Sequence, residues 1–338
     1  MSTVRYRTIT PMGLTTPPPD FSVIVPIASG RAPLVLASLD GLDTRAVRCE
    51  VLTQTGPNPS RNRNESIARA RAAILAFTDD DCLVAPDWLA NAAAFFEAHP
   101  DYDAVGGPQL NATSEGLVGR AAGHALASWF GTYRLCRRWK RARPGLAATQ
   151  YDLTSANLFL TRRAFERWGP FDERLWPNEE TALLRRIERA GGRIAYDPGI
   201  VVFHKRRDTL AALARQCFGY GSGRARQWRF EGAPLPGLAQ AVPALFLVYL
   251  LALPLLATLS PAAFVPLAAY ATLAVVASFA TAMARTDPAA GLVMPFVFPA
   301  IHLGYGSGLL VESIRLAMTA RRPARARALS AADTAVPT

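Results

Sequence analysis

The stretch Ile74-Leu75-Ala76-Phe77-Thr78-Asp79-Asp80-Asp81-Cys82 decides the reading of this chain. Its apolar opening has the length and character of a buried strand, and three consecutive acids close it. Like charges packed side by side cost free energy unless something neutralises them. A hard divalent cation held by carboxylate oxygens would do so and would also hold a diphosphate; the alternative is a solvated acidic turn capping the next helix. Upstream, Phe21-Ser22-Val23-Ile24-Val25-Pro26-Ile27 is another apolar run, and Leu34 to Leu42 has helical spacing. Cys49 to Thr53 reads as a strand and Glu65 to Ala73 as an Ala- and Arg-rich helix. Downstream, Ala85 to His99 reads as a helix with Pro86 near its start. Strands alternating with helices predict an α/β fold: a mostly parallel sheet flanked by helices, with ligands at the carboxyl ends of the strands.

Beyond Trp228 the composition changes. Leu238–Leu259, Ala262–Ala284 and Ala289–Val311 carry no charge. Each is long enough as a helix to span the hydrocarbon layer, which takes ~20 residues. Three such runs in succession predict membrane insertion rather than a soluble core. The expected organisation is a flexible leader over 1–19 without the apolar centre of a signal peptide, a soluble α/β domain over 20–230, membrane-embedded helices over 237–318, and a basic, disordered tail over 319–338.

Half of the 338 residues are hydrophobic and 19% are charged, which excludes a disordered chain. Lys+Arg number 37 against 26 Asp+Glu, a net charge of +11 that suits nucleic acid, acidic lipid or a phosphorylated substrate. No nucleic-acid-binding motif accompanies the charge, so nucleic acid is set aside. Cys49, Cys82, Cys136 and Cys217 are scattered without CxxC spacing, which argues against a zinc knuckle or a disulfide framework. Arginines flank the apolar region on both sides, Arg215 to Arg229 before it and Arg315 to Arg327 after it. The positive-inside rule then wants both ends in the cytoplasm and an even number of crossings. The third run holds His302, four glycines and two prolines, and is read as re-entrant or interfacial.

Further short motifs follow in a fixed order. They are the opening strand Phe21–Ile27, Arg63-Asn64, the Asp79-Asp80-Asp81 turn, Gly106-Gly107-Pro108, Ser155 to Arg163, Phe171-Asp172-Glu173, and Asn178-Glu179-Glu180-Thr181. In this order they resemble the family-2 glycosyltransferases, whose catalytic domain has an A-type glycosyltransferase fold, over roughly Phe21 to Arg229. The apolar tail, with His302 to Gly308 in its last run, resembles that of bacterial exopolysaccharide glucosyltransferases of the succinoglycan type. The resemblance implies a nucleotide-diphosphate sugar as donor, contacted by Pro26, Arg63, Asn64, Asp79, Asp80 and Asn157. It implies Mg²⁺ or Mn²⁺ held by Asp79, Asp81 and His204. It also implies an inverting attack by a hydroxyl of a lipid-linked or polysaccharide acceptor, with Glu180 as base beside Glu179, and a catalytic domain on the cytoplasmic face of the plasma membrane. Two alternatives are a polyprenyl-phosphate glycosyl synthase and a non-catalytic membrane scaffold. The scaffold is motivated by Thr53-Gln54-Thr55-Gly56, which stands where the family has acids that contact the nucleotide. The basic, aromatic segment from Trp129 to Arg143 is expected to lie against the cytoplasmic leaflet beside the acceptor.

Overall fold

The computed structural model describes residues 6–9, 18–45, 47–112, 115–231 and 238–333, with side chains for 18–45, 47–112, 115–231 and 239–319. The rest of the expected leader and the last five residues of the tail lie outside the described residues.

The chain opens with β1 (Tyr6–Ile9), β2 (Phe21–Ile27), α1 (Val35–Asp40), β3 (Cys49–Thr55), α2 (Pro59–Ile67) and β4 (Ile74–Phe77). It continues through β5 (Cys82–Val84), α3 (Trp88–Ala98), β6 (Ala104–Gly106), β7 (Gln109–Asn111), α4 (Leu117–Leu126), α5 (Trp129–Thr132) and a 3-10 turn at Tyr133–Trp139. Then come β8 (Leu158–Thr161), α6 (Arg162–Trp168), α7 (Glu179–Arg189), β9 (Ile194–Tyr196) and β10 (Val202–His204). The helices α8 (Leu210–Glu231), α9 (Leu238–Leu259), α10 (Val265–Arg285) and α11 (Pro288–Asp333) complete the described chain.

Seven strands line up in the order β1-β3-β2-β4-β8-β6-β9. The pairs β3–β2, β2–β4 and β6–β9 are parallel; β1–β3, β4–β8 and β8–β6 are antiparallel, so the sheet is mixed. Alternate residues of a strand face opposite sides. Phe21, Val23 and Val25 enter one core with Trp88 and Phe95 of α3, while Ile24, Leu75 and Phe77 enter the other with Leu183 and Ile187 of α7. Both faces are therefore buried, which is why these strands read as continuous apolar runs. Gly106 and Gly107 let β6 pass close to other backbone: a Cβ on them would collide with the carbonyls of Asn157 and Ile200. A second, small sheet has the order β5-β10-β7.

Two local expectations are corrected. Tyr6–Ile9, expected to be flexible, pairs antiparallel with Cys49–Leu52, because the outer edge of β3 offers unpaired N–H and C=O groups. The helix expected at Glu65–Ala73 starts earlier, because Asn58 caps the amides of Ser60 and Arg61 and Pro59 suits the first turn.

Two compact units divide the chain: Met1–Leu210 with Ala271–Phe298, and Ala211–Tyr270 with Pro299–Thr338. In the second, α8 meets α11 backbone to backbone. A Cβ on Gly221 would strike the Tyr305 carbonyl, and one on Gly304 or Gly308 would strike the carbonyls of Ala214 or Phe218. Small residues allow this approach, so α8 groups with the helices that follow it rather than with the sheet. Three segments, Ala239–Leu259, Pro261–Arg285 and Pro288–Thr319, are long and apolar enough to cross a membrane. The fold is α/β with a C-terminal transmembrane region. Helix α11 runs on to Asp333, into the stretch expected to be disordered, where Ala and Arg are strong helix formers.

Candidate active site

The three acids after β4 have three different surroundings. Asp79 accepts a hydrogen bond from Arg63 Nη2 at 2.6 Å, and Arg63 Nη1 donates to Glu179 Oε1 at 2.5 Å. Arg63 is buried, so this guanidinium ties the end of β4 to the first turn of α7 through the core. Asp80 is buried too and fastens the β2–α1 loop. Its carboxylate accepts from the Ala28 amide at 2.8 Å and Arg31 Nη1 at 2.9 Å, and its carbonyl accepts from the Leu34 amide. Asp81 faces His204 Nε2 at 3.2 Å, Arg31 Nη1 at 3.1 Å and Arg207 Nη2 at 3.7 Å. Burial opposes charge on Asp81, but His204, Arg207 and Arg31 together hold its carboxyl well below the usual carboxylate range.

Antiparallel pairing of β10 with β5 sets His204 opposite Cys82. Among the described residues, Asp81, Cys82 and His204 bring one potential ligand atom each within 4.8 Å of one another. Asp79, expected as a second metal ligand beside Asp81, lies outside this cluster and pairs through Oδ1 with Arg63.

Helix α2 assembles the other motifs. Asn58 Nδ2 donates to the Glu173 carbonyl, Arg61 pairs with the Glu173 carboxylate, and both ends of the Asn64 amide bond the backbone of Phe171. Asn64, expected at the donor, is thus a clamp on the Phe171-Asp172-Glu173 loop. Asn157 is fully buried: its Nδ2 donates to the carbonyls of Pro108 and Ile200, and its Oδ1 accepts from Trp88 Nε1 at 2.9 Å. Its polar atoms are taken up by these three hydrogen bonds in the core. Pro26 is buried in β2 opposite Gln54, two residues past the last residue paired with β4. In Thr53-Gln54, where the family's acids are missing, the Gln54 side chain accepts from Arg69 at 3.1 Å.

The adjacent glutamates differ. Glu179 is 2% exposed, held by Arg63, and its carboxyl is pushed up to about 7, by burial first and with the neighbouring Glu180 charge adding to it against Arg63. Both glutamates are buried, Glu179 against Arg63 and Glu180 beside Arg138. Glu180 lies 3.7 Å from Arg138 Nη1 and takes a 3.4 Å contact from the Thr181 hydroxyl. Arg138 also donates to the carbonyls of Gln150 and Tyr151, and Arg137 pairs with Asp152 and stacks on Tyr196. These two arginines of the segment expected against the leaflet turn inward, while Trp129 and Tyr133 stay exposed. Sequence reading passed over Arg31 and Arg207. Their only signals were a basic residue in the turn after the first long strand and the run Lys205-Arg206-Arg207 after His204.

Residues 22–221, more than half of the chain, match the sequence profile described as glycosyltransferase like family 2. The chain belongs to this family. Succinoglycan biosynthesis protein ExoA of Rhizobium meliloti (strain 1021) is 38% identical over 80 residues, 24% of this chain and 24% of that protein. A pre-mycofactocin glycosyltransferase of Mycobacterium tuberculosis (strain CDC 1551 / Oshkosh) is 28% identical over 226 residues, 60% of this chain and 46% of that protein. The chain thus spans less than half the length of either curated relative. The mannosyltransferase PcManGT from Pyrobaculum calidifontis, in complex with GDP-Man and Mn²⁺, superposes with a TM-score of 0.49 at 18% identity, over 90% of this chain and 91% of that one.

Proposed function

We propose that this family-2 glycosyltransferase is a multi-pass plasma-membrane enzyme that moves a sugar from a nucleotide-diphosphate sugar to a hydroxyl of a lipid-linked or polysaccharide acceptor, inverting the anomeric centre. The observation that carries this reading is the convergence around Arg63. One buried guanidinium joins the acidic turn after β4, beside the Asp81–His204 pair, to the helix start that presents Glu180.

The donor set fits a divalent cation. Asp81 supplies a carboxylate oxygen and His204 an imidazole nitrogen, and the other ring nitrogen of His204, Nδ1, is buried without a hydrogen-bond partner. The third atom of the cluster, the buried Cys82 sulfur, is a soft donor and suits a hard cation less well than the Asp81 carboxylate. Mg²⁺ or Mn²⁺ held by Asp81 and His204 would supply positive charge to the departing nucleoside diphosphate. Glu180 takes the proton of the attacking hydroxyl, and Glu179 with Arg63 fixes the helix turn that aims it.

Glu180→Gln keeps size and hydrogen bonding but cannot accept that proton. Transfer from a radiolabelled nucleotide-sugar panel to membrane-lipid extract should fall ~10²-fold or more, with donor affinity nearly unchanged. Equal loss of donor affinity, or a larger turnover defect in Glu179→Gln, would move the base elsewhere. Recovering label as a lipid phosphate ester instead of a glycoside would favour the polyprenyl-phosphate synthase.

Topology completes the proposal. Asp287, between α10 and α11, accepts from Arg120 Nε at 3.0 Å and lies 3.2 Å from His124 Nε2, both on α4. This supports a junction on the same side of the bilayer as the sheet. Glu312 of α11 pairs with Arg226 of α8, a helix that also carries Arg215, Arg224 and Arg229 and so suits the interface better than the hydrocarbon. On this reading α9 and α10 cross, α11 lies at the interface, and the sheet and the C-terminus face the cytoplasm.

A further inference from the structure

The Asp81 carboxylate, proposed above as a metal ligand, is already crowded with cations. Its Oδ2 faces Arg31 at 3.1 Å and Arg207 at 3.7 Å, while its Oδ1 faces His204. The same Arg31 nitrogen lies 2.9 Å from Asp80 Oδ1. Two guanidiniums therefore balance these two carboxylates, while Asp79 shares Arg63 with Glu179. A divalent cation arriving alone at Asp81 would bring positive charge to a carboxylate pair whose charge is already offset. A cation arriving with a diphosphate would not, because the diphosphate brings the compensating charge and a planar guanidinium suits phosphate oxygens.

The two arginines are placed to change partner. The Arg31 side chain is 42% exposed and that of Arg207 34%, unlike Arg63 at 3%. Arg31 sits in a short turn closed by its own amide on the Ala28 carbonyl, directly after Gly30, whose φ of +78° suits glycine. The backbone of this turn is anchored at both ends by Asp80, through the Ala28 and Leu34 amides, so the side chain can swing without the loop leaving the site.

From this arrangement we propose that Arg31 and Arg207 are diphosphate-binding residues that rest on Asp80 and Asp81 until the donor arrives, and so make metal binding depend on the nucleoside diphosphate. The inference rests on the metal-dependent transferase reading, and its test reads binding rather than turnover. Free Mn²⁺ is measured by electron paramagnetic resonance on the full-length protein in detergent, alone and with UDP, GDP, ADP, CDP or dTDP. The wild type should bind Mn²⁺ at least ~10-fold more tightly with the accepted nucleotide, within the usual range of coupling between sites. In Arg31→Gln, and more so in Arg31→Gln/Arg207→Gln, Mn²⁺ alone should bind ~3–10-fold more tightly, and the nucleotide should improve it by less than ~3-fold. Arg31→Lys keeps the charge and should keep most of the coupling, which separates the effect from loop damage. Wild-type coupling that survives unchanged in the double variant overturns the role of the arginines and leaves the metal reading standing. No Mn²⁺ binding by the wild type under any condition overturns the metal reading and this inference with it.

Discussion

Replacing Arg63 by methionine keeps the apolar stem and removes the guanidinium that bonds Glu179 at 2.5 Å and Asp79 at 2.6 Å. Asp79 is partly exposed and regains water, but Glu179 is 2% exposed and does not. Deleting one partner of a buried pair costs ~3–5 kcal/mol, because the remaining charge is left uncompensated. With ~2.1 cal/mol/K of unfolding entropy per residue over 338 residues, Tm should fall by ~4–7 °C. The deficit should depend on pH in a definite direction. The Glu179 carboxyl is already pushed from 4.5 up to about 7. A carboxyl raised in the folded state contributes stability that is complete below about 4.5 and is lost as pH rises through about 7. Removing Arg63 raises Glu179 further, so the variant should lie close to wild type at pH 5 and fall away toward pH 8. Adding Glu179→Gln to Arg63→Met should restore most of the loss at pH 8. Thermal unfolding in detergent, followed by tryptophan fluorescence at several pH values, measures all three proteins. A deficit that does not change with pH, or a double variant no better than Arg63→Met, would refute the buried-pair argument.

Chelation should abolish sugar transfer and Mn²⁺ or Mg²⁺ should restore it, while Asp81→Ala should stay inactive at any metal concentration; near-normal turnover in Asp81→Ala would remove the metal from this site. Asn157→Leu strands the Trp88 indole N–H and two carbonyls in the core, at ~1–3 kcal/mol for each unsatisfied group. It should lower Tm by several degrees and leave the donor KM unchanged, whereas a raised KM at unchanged Tm would return Asn157 to the donor site. A fluorescent protein fused after Thr338 should glow in the cytoplasm; a periplasmic C-terminus would require α11 to cross as a third span.

The alternation of apolar runs with helical spacing was enough to name the α/β class, because strands buried on both faces announce themselves in composition. The uncharged runs from Leu238 to Val311 were equally legible, since an uncharged stretch of that length has few alternatives to lipid. The place of β8 in the sheet was not legible. It pairs antiparallel with both β4 and β6, and nothing local in Leu158–Thr161 encodes partners so far away in sequence.

The same division separates the site from the parts list that the sequence provided. Sequence placed three acids at a strand end, a histidine at another and two glutamates at a helix start, and their order identified the family. Only the tertiary structure decided what each acid touches. Arg63 reaches Asp79 across 16 residues of chain and Glu179 across 116. Through those two bonds Asp79 and Glu179 share one buried cation. Asp81 instead faces His204, Arg31 and Arg207, and Glu180 faces Arg138. The physical reason is that a carboxylate's role is set by its burial and by the cations within a few ångströms, and the chain brings those together only when it folds.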